Sequence, residues 1–361
     1  MPLQETLTVV LAIDGFRASA LGAYGATAYE TPGFNELAAD STVHEWLYAD
    51  STSLRGVYGV FENALSISAD RSLLLTDDES LLELGFDSRF NERSSVASLE
   101  PTEPAESIGQ TALAESFSGF AASLVEHVES IPEGEASLVW LHTKGLKGPW
   151  DAPGELVEPM IDEEDPEIEP SVIPPQAVFE DNATSEAVEA RFAASVRYAA
   201  QVITLDACLA GLSDLLSGLM EGMAWRFVVM GLRGYPLGEH GVIGGEDRRL
   251  FSEQTHVPMI LHTADPADRF QRDKSIGLLS TGVAKSLGAD SDSDQQSVVI
   301  RSESGAIAAR NEGWLMRVPG PDEPVDSEEL YLKPDDRWEQ NNVASLEPDV
   351  VKELTAIAGG R

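Results

Sequence analysis

Phe227-Val228-Val229-Met230-Gly231-Leu232-Arg233-Gly234, followed at once by Tyr235-Pro236-Leu237-Gly238-Glu239-His240-Gly241, decides how the rest of the chain is read. Phe227 to Met230 form an apolar run of strand length, and glycines punctuate the turn that leaves it. Leu232 and Arg233 stand where this strand hands over to a loop. An apolar side chain and a cation at that point offer neither oxygen nor imidazole to a divalent ion.

Outward from this turn, similar runs recur. Leu7-Thr8-Val9-Val10-Leu11-Ala12-Ile13 is nearly all apolar, as in a strand buried on both faces. Thr31 before Pro32 predicts the N-cap and first turn of a helix reaching about residue 39. Strands are expected at residues 43–48, 71–75, 137–142 and 258–262. Helices are expected at 53–61, 110–129 and 185–220, with a short one from 77. Residues 88–107 read as a polar loop or insertion, and 151–181 as a proline-rich, acidic, solvated excursion. Strands alternating with helices predict an α/β fold with a mostly parallel central sheet, covered on both faces, over residues 1–290. Runs at 297–301, 305–309, 314–318 and 330–333, then a helix from Pro348, predict a small antiparallel sheet plus helix over residues 291–361.

Of 361 residues, 62 are Asp or Glu and 24 are Lys or Arg, giving a formal charge of −38. Such a field repels nucleic acid and anionic membranes, so neither is an expected partner. It suits high salt, where the Debye length falls to ~3 Å at 1 M and self-repulsion is screened. The single Cys208 excludes an internal disulfide and a cysteine-based zinc site, and reads as a small core residue. No run approaches about eighteen apolar residues, so no transmembrane helix is expected. The first strand begins near Leu7 with no apolar leader before it, which predicts a cytoplasmic protein.

Several segments, taken in order along the chain, resemble the sulfatase family. They are Asp14-Gly15-Phe16-Arg17 through Leu21-Gly22-Ala23-Tyr24-Gly25, then Thr31-Pro32-Gly33-Phe34, then Gly85-Phe86-Asp87. His142 through Gly148-Pro149-Trp150, residues 192–198, the opening stretch with its Leu-Gly-Glu-His-Gly, and Thr255-His256-Val257-Pro258 follow. Glu329-Leu330-Tyr331 and Asn341-Asn342-Val343 complete the series. The resemblance implies an alkaline-phosphatase-like α/β/α sandwich with a small C-terminal sheet. It also implies a divalent cation such as calcium, a formylglycine nucleophile made from Cys or Ser, and basic residues that neutralise the ester.

On that resemblance Asp14 is the one retained metal ligand, while Gly15, Leu232 and Arg233 replace the others. Ser51 and Arg55 match the nucleophile motif, with Ser53 where the family has proline, and Lys147 replaces a histidine. Ser51, Arg55, Lys147 and His240 are thus the expected catalytic positions, and Lys144, His142 and Arg233 are expected to face substrate. A further family lysine falls on Asp247, with Arg248 and Arg249 just beyond. Read from the residues alone, Ser51 suits a helix N-cap, the role favoured for it here. His240 suits a packed, hydrogen-bonded position as well as a catalytic one.

The charges at the former metal position sum to zero, −1 on Asp14 and +1 on Arg233. Two unit charges ~4 Å apart at an effective dielectric of ~20 interact by ~4 kcal/mol, so Arg233 opposes a nearby cation. The guanidinium is expected to take the cation's place and pair with Asp14. Three functions remain open. One is a pseudoenzyme without a cofactor, used for binding or assembly. Another is a sulfuric or phosphoric monoester hydrolase, either dependent on a divalent cation or metal-free with Ser51 or Ser53 as nucleophile. The third is a pocket for a sulfate- or phosphate-type anion.

Overall fold

In the computed structural model the chain is described over residues 7–245, 249–289, 295–321, 323 and 327–359. The first half comprises strand β1 (Leu7–Ile13), helix α1 (Pro32–Ala39), β2 (Thr42–Tyr48), α2 (Leu54–Ala64), β3 (Arg71–Thr76) and β4 (Glu92–Ser95). It continues with α3 (Ala112–Glu129), β5 (Ser137–Thr143), α4 (Gly154–Val157), β6 (Ala177–Val178) and α5 (Ser185–Leu219). Then come β7 (Trp225–Gly231), β8 (Val242–Ile243), α6 (Ser252–Thr255), β9 (Met259–Thr263), β10 (Gln271–Leu278) and α7 (Leu279–Ser286). The chain closes with β11 (Ser297–Arg301), β12 (Ile307–Asn311), β13 (Trp314–Val318), β14 (Glu329–Leu332) and α8 (Pro348–Ile357).

Eight strands form the central sheet in the order β10-β2-β9-β7-β1-β5-β3-β4, and only β9 runs antiparallel to its neighbours. Side chains alternate across each strand. Leu7, Val9, Leu11 and Ile13 of β1 face a core built with α1, α3 and α5, while Val10 and Ala12 face a second core with α2 and α7. This is the expected sandwich, covered on both faces. The four-stranded antiparallel sheet β11-β12-β13-β14 packs one face on the main body through Tyr48, Phe251 and Ile276, and the other on α8 through Leu354. The expected boundary at residue 290 lies outside the described residues.

Four expectations need correction. Residues 88–107 are not wholly loop, because β4 adds a parallel edge strand there. All four of its residues are exposed, so it carries no apolar alternation to be read, and Glu92 accepts from Arg71 of β3 at 3.0 Å beside the backbone ladder. Strand β10 was missed for the same reason, since its first five residues, Gln271 to Ser275, are polar and mostly exposed. Helix α5 is long and apolar enough, by length and composition, to cross a membrane, although no unbroken apolar run announces it. It packs against α1 and α3, burying Tyr198, Val202, Leu205, Leu209 and Leu216, and thus serves as a core helix.

The fourth correction concerns α1. Thr31 does not cap it with its hydroxyl, which instead accepts from the Gly22 amide at 3.2 Å. The cap is supplied by tertiary structure: the Asp206 carboxylate on α5 accepts from the Gly33 and Phe34 amides at 2.9 and 2.8 Å. A carboxylate at a helix N-terminus also complements the helix dipole. Asp206→Ala leaves two buried donors unsatisfied, at ~1–3 kcal/mol each. The expected loss is therefore at least about 2 kcal/mol, with a smaller loss for Asp206→Asn, read from the urea midpoint.

Candidate functional site

Strand register brings the candidate residues to one edge of the sheet. Ile13 of β1 lies level with Thr143 of β5 and with Gly231 of β7, so Asp14, Lys144 and Leu232 leave their strands side by side. Thr76 of β3 lies level with His142, which places Asp77 next to them. In open α/β sheets this carboxyl edge is where ligands bind.

The centre of this edge is an ion pair. Arg233 Nε donates to Asp14 Oδ1 at 2.8 Å and Nη2 to Oδ2 at 2.9 Å, while Nη1 donates to the Thr52 carbonyl at 2.8 Å. Asp14 Oδ1 also accepts from the Gly15 amide at 2.8 Å. Both residues are buried, at 3% exposure for Asp14 and 7% for Arg233. Burial pushes the Asp14 carboxyl up, but the Arg233 charge and hydrogen bonds, with help from Lys147 and His142, outweigh it and hold the group below its ordinary range.

The residues around this pair do not fit a divalent cation. Gly15 has φ +74°, and a Cβ there would meet the Leu146 carbonyl carbon at 2.8 Å. The turn Gly145–Lys147 closes over the position, tied down by a Leu146 amide donating to the Asp14 carbonyl at 2.9 Å. Leu232 is fully buried in the core beneath α2. The nearby Asp77 is engaged at both oxygens, accepting from Thr143 Oγ1 and the Lys144 amide at 2.7 Å each. A hard cation needs several free oxygens, and the side chains at the Asp14 position supply none.

The other expected residues separate. Ser51 is buried, but it is not the N-cap; Ser53 is, accepting from the Gly56 amide at 3.0 Å. Ser51 Oγ accepts from the Ser53 amide at 3.2 Å and sits where a Cβ on Gly56 would clash, at 2.2 Å. Among the described residues no histidine or carboxylate contacts Ser51, so nothing there activates it. Ser53 Oγ donates to Glu303 at 2.8 Å, but that carboxylate would repel an anionic ester. Arg55 is exposed on the first turn of α2 and joins none of these contacts.

His142 cannot face a substrate. It has no exposed surface and lies in an aromatic cluster with Tyr58, Phe86 and Trp140. An indole N–H can only donate, so the Tyr58 hydroxyl accepts from Trp140 at 3.3 Å and turns its own proton toward His142 Nδ1 at 2.8 Å. His240 is also enclosed. It stacks on Phe251 with ring centres 3.5 Å apart, and its Nε2 donates to the Glu339 carbonyl at 3.2 Å. Its Nδ1 meets Glu253 at 2.7 Å, and this partnership raises its pKa against the effect of burial. With both nitrogens engaged, the expected catalytic role has no free atom to perform it.

Lys147 stays at the edge, with Nζ donating to the Gly245 carbonyl at 3.0 Å and lying 5.0 Å from the Tyr235 ring centre. Lys144 is half-buried beside Asp77. Asp247 and Arg248 lie outside the described residues. Arg249 is turned away from the edge, donating to the His240 carbonyl at 2.6 Å and lying 5.6 Å from the Phe251 ring centre. Two members of the constellation escaped sequence reading, the Thr52 carbonyl and Asp77. The first has no side-chain signal, and the second follows a strand end where an acidic residue is common.

No protein-family model matches the chain, and no curated protein matches it in sequence. Solved structures do match. The phosphonate monoester hydrolase of Agrobacterium radiobacter superposes with a TM-score of 0.69 at 13% identity, over 98% of this chain and 94% of that one. This chain has the sulfatase-type fold. A putative sulfatase from Bacteroides fragilis gives 0.68 at 13% identity, over 99% and 95% of the two chains. A structure holding its substrate D-glucosamine-2-N,6-O-disulfate gives 0.64 at 12% identity, over 98% and 97%. The sulfatase-type fold thus spans nearly the whole sequence, as the resemblance implied.

Removing one partner of a buried ion pair costs about 3–5 kcal/mol, because the other charge is left uncompensated. Arg233→Met should lose that much near neutral pH. The Asp14 carboxyl is held below the ordinary aspartate value of 3.8, so the pair stabilises above that pH and is lost as pH falls through the depressed value. Wild type and Arg233→Met should therefore converge as the pH drops below about 4. The double variant Asp14→Leu/Arg233→Met should recover much of the loss. Urea midpoints at neutral and acid pH measure both effects.

Proposed function

We propose that this chain is a sulfatase-fold protein that has lost metal-dependent ester hydrolysis and retains the scaffold for binding. The observation that carries this reading is the two-pronged Arg233–Asp14 pair standing where the family resemblance implies a cation. A guanidinium there supplies a fixed positive charge without a Lewis acid. It neutralises Asp14, and its third donor joins the segment after β2. Gly15, pinned by the turn above it, and Leu232, committed to the core, support the same conclusion.

Hydrolysis also needs an activated nucleophile and a proton donor for the leaving group. Among the described residues Ser51 has no base beside it, and His142 and His240 are sequestered in separate hydrogen-bonded pockets. Lys144 places positive charge at the edge, which supports weak attraction of a sulfate- or phosphate-type anion in an otherwise acidic protein.

The expected outcome is no turnover of chromogenic sulfate or phosphate monoesters with calcium, magnesium or manganese. A chelator should leave the melting temperature unchanged, since a metal that binds only the folded state would raise it. Metal-stimulated turnover, or calorimetric binding of calcium abolished by Asp14→Asn, would restore the hydrolase reading.

A further inference from the structure

A second cleft, of about 260 Å³, lies between the carboxyl end of β2 and the C-terminal sheet. Trp46 and Tyr48 line it. Leu47, between them on β2, points the opposite way into the core beneath α2 and α7. The cleft and the Ser51 segment with its helix are therefore on opposite sides of that strand.

Arg310 of β12 reaches into this cleft while only 2% exposed. Its Nε donates to the Tyr48 hydroxyl at 2.9 Å and its Nη1 to the Trp314 carbonyl at 3.3 Å. The guanidinium carbon lies 5.6 Å from the Trp46 ring centre and 5.8 Å from that of Tyr48. Among the described residues no carboxylate pairs with it, and its Nη2 has no hydrogen-bond partner. A buried cation without a counter-charge is costly, and this chain carries 62 acidic residues that could have supplied one.

Arg337 also lines the cleft and stands over the ring of Trp338 at 5.0 Å, and it too has no carboxylate partner among the described residues. Acids are present, but they are spent elsewhere. Glu339 pairs with Lys333 and accepts from Ser252 at 2.6 Å, and Glu253 holds His240. The half-buried His256, stacked on Trp46 and Tyr48, registers the resulting potential. Burial, then the charges of Arg310, Lys333 and Arg337, push its pKa down to about 4.

We propose that this cleft binds a small aromatic oxyanion, its charged group held between Arg310 and Arg337 and its ring laid against Trp46 and Trp338. The two unpaired guanidiniums select an oxyanion, for which their fork geometry is suited. The aromatic walls select a flat ring, and Trp338, at 45% exposure, is an open surface for it. A volume near the lower end for ligand pockets restricts the occupant to a single ring.

Benzoate, phenylphosphonate and benzenesulfonate are suitable probes because none can be hydrolysed, which separates binding here from any turnover at the Asp14 edge. At constant ionic strength at least one should raise the melting temperature and quench tryptophan fluorescence. Inorganic sulfate should act more weakly, and benzyl alcohol not at all. Arg337→Gln and Trp338→Ala, both at exposed positions, should each weaken binding about tenfold. Arg310→Gln should abolish it, and if that variant fails to fold, the two surface variants decide. Lys144→Gln should bind like wild type. The proposal is overturned if no probe binds, if binding survives both surface variants, or if Lys144→Gln removes it.

Discussion

The contact between Asp14 and Arg233 joins the segments that leave three strands of the sheet. Asp14 follows β1, Arg233 follows β7, and Thr52, which takes the third donor, follows β2. A buried ion pair is stable only if its geometry is good and its remaining donors and acceptors are satisfied. Here the Gly15 amide and the Thr52 carbonyl complete it. The neighbouring structure follows from that requirement. Tyr198 donates to the Gly15 carbonyl at 2.9 Å and fixes the turn, and Leu146 settles on the glycine that has no side chain to exclude it.

Similar pairing engages other charged residues of the quoted segments. Arg17 binds Glu239 and His240 binds Glu253, as Lys333 binds Glu339 nearby, all in partly or wholly buried positions. Several of the charged residues that the resemblance brings into view therefore serve as internal struts, while Arg55 and Lys144 do not. Two guanidiniums in the second cleft depart from this pattern. Among the described residues they have no acidic partner, in a chain where acids outnumber bases by 62 to 24.

The alternation of buried strands and amphipathic helices was legible because burial leaves a composition signature. β1 is apolar at nearly every position since both faces are covered, and α3 and α5 carry their core residues at helical spacing. β4 and the start of β10 were not legible because they are edge strands of polar, mostly exposed residues, tied to their neighbours by backbone and by ion pairs such as Arg71–Glu92 and Arg272–Glu45. The Arg233–Asp14 contact was legible because opposite charges occupied two matched positions at the ends of adjacent strands. The fates of His142 and His240 were not, since the residues that enclose them, Tyr58, Phe251 and Glu253, come from distant or unmatched segments. Asp206 capping α1 from α5 shows the same limit: the N-terminal Thr31 was visible, but the true cap lies 173 positions from Gly33.

Gly15 limits how the site could be redesigned. A carboxylate cannot be installed there by a single replacement, because the space its Cβ needs is held by the Leu146 backbone at 2.8 Å, itself bonded to Asp14. Withdrawing that turn first would strip the neighbouring ion pair of its cover before any new ligand existed. Installing a ligand at this position therefore takes at least two coordinated changes, and the first of them is destabilising.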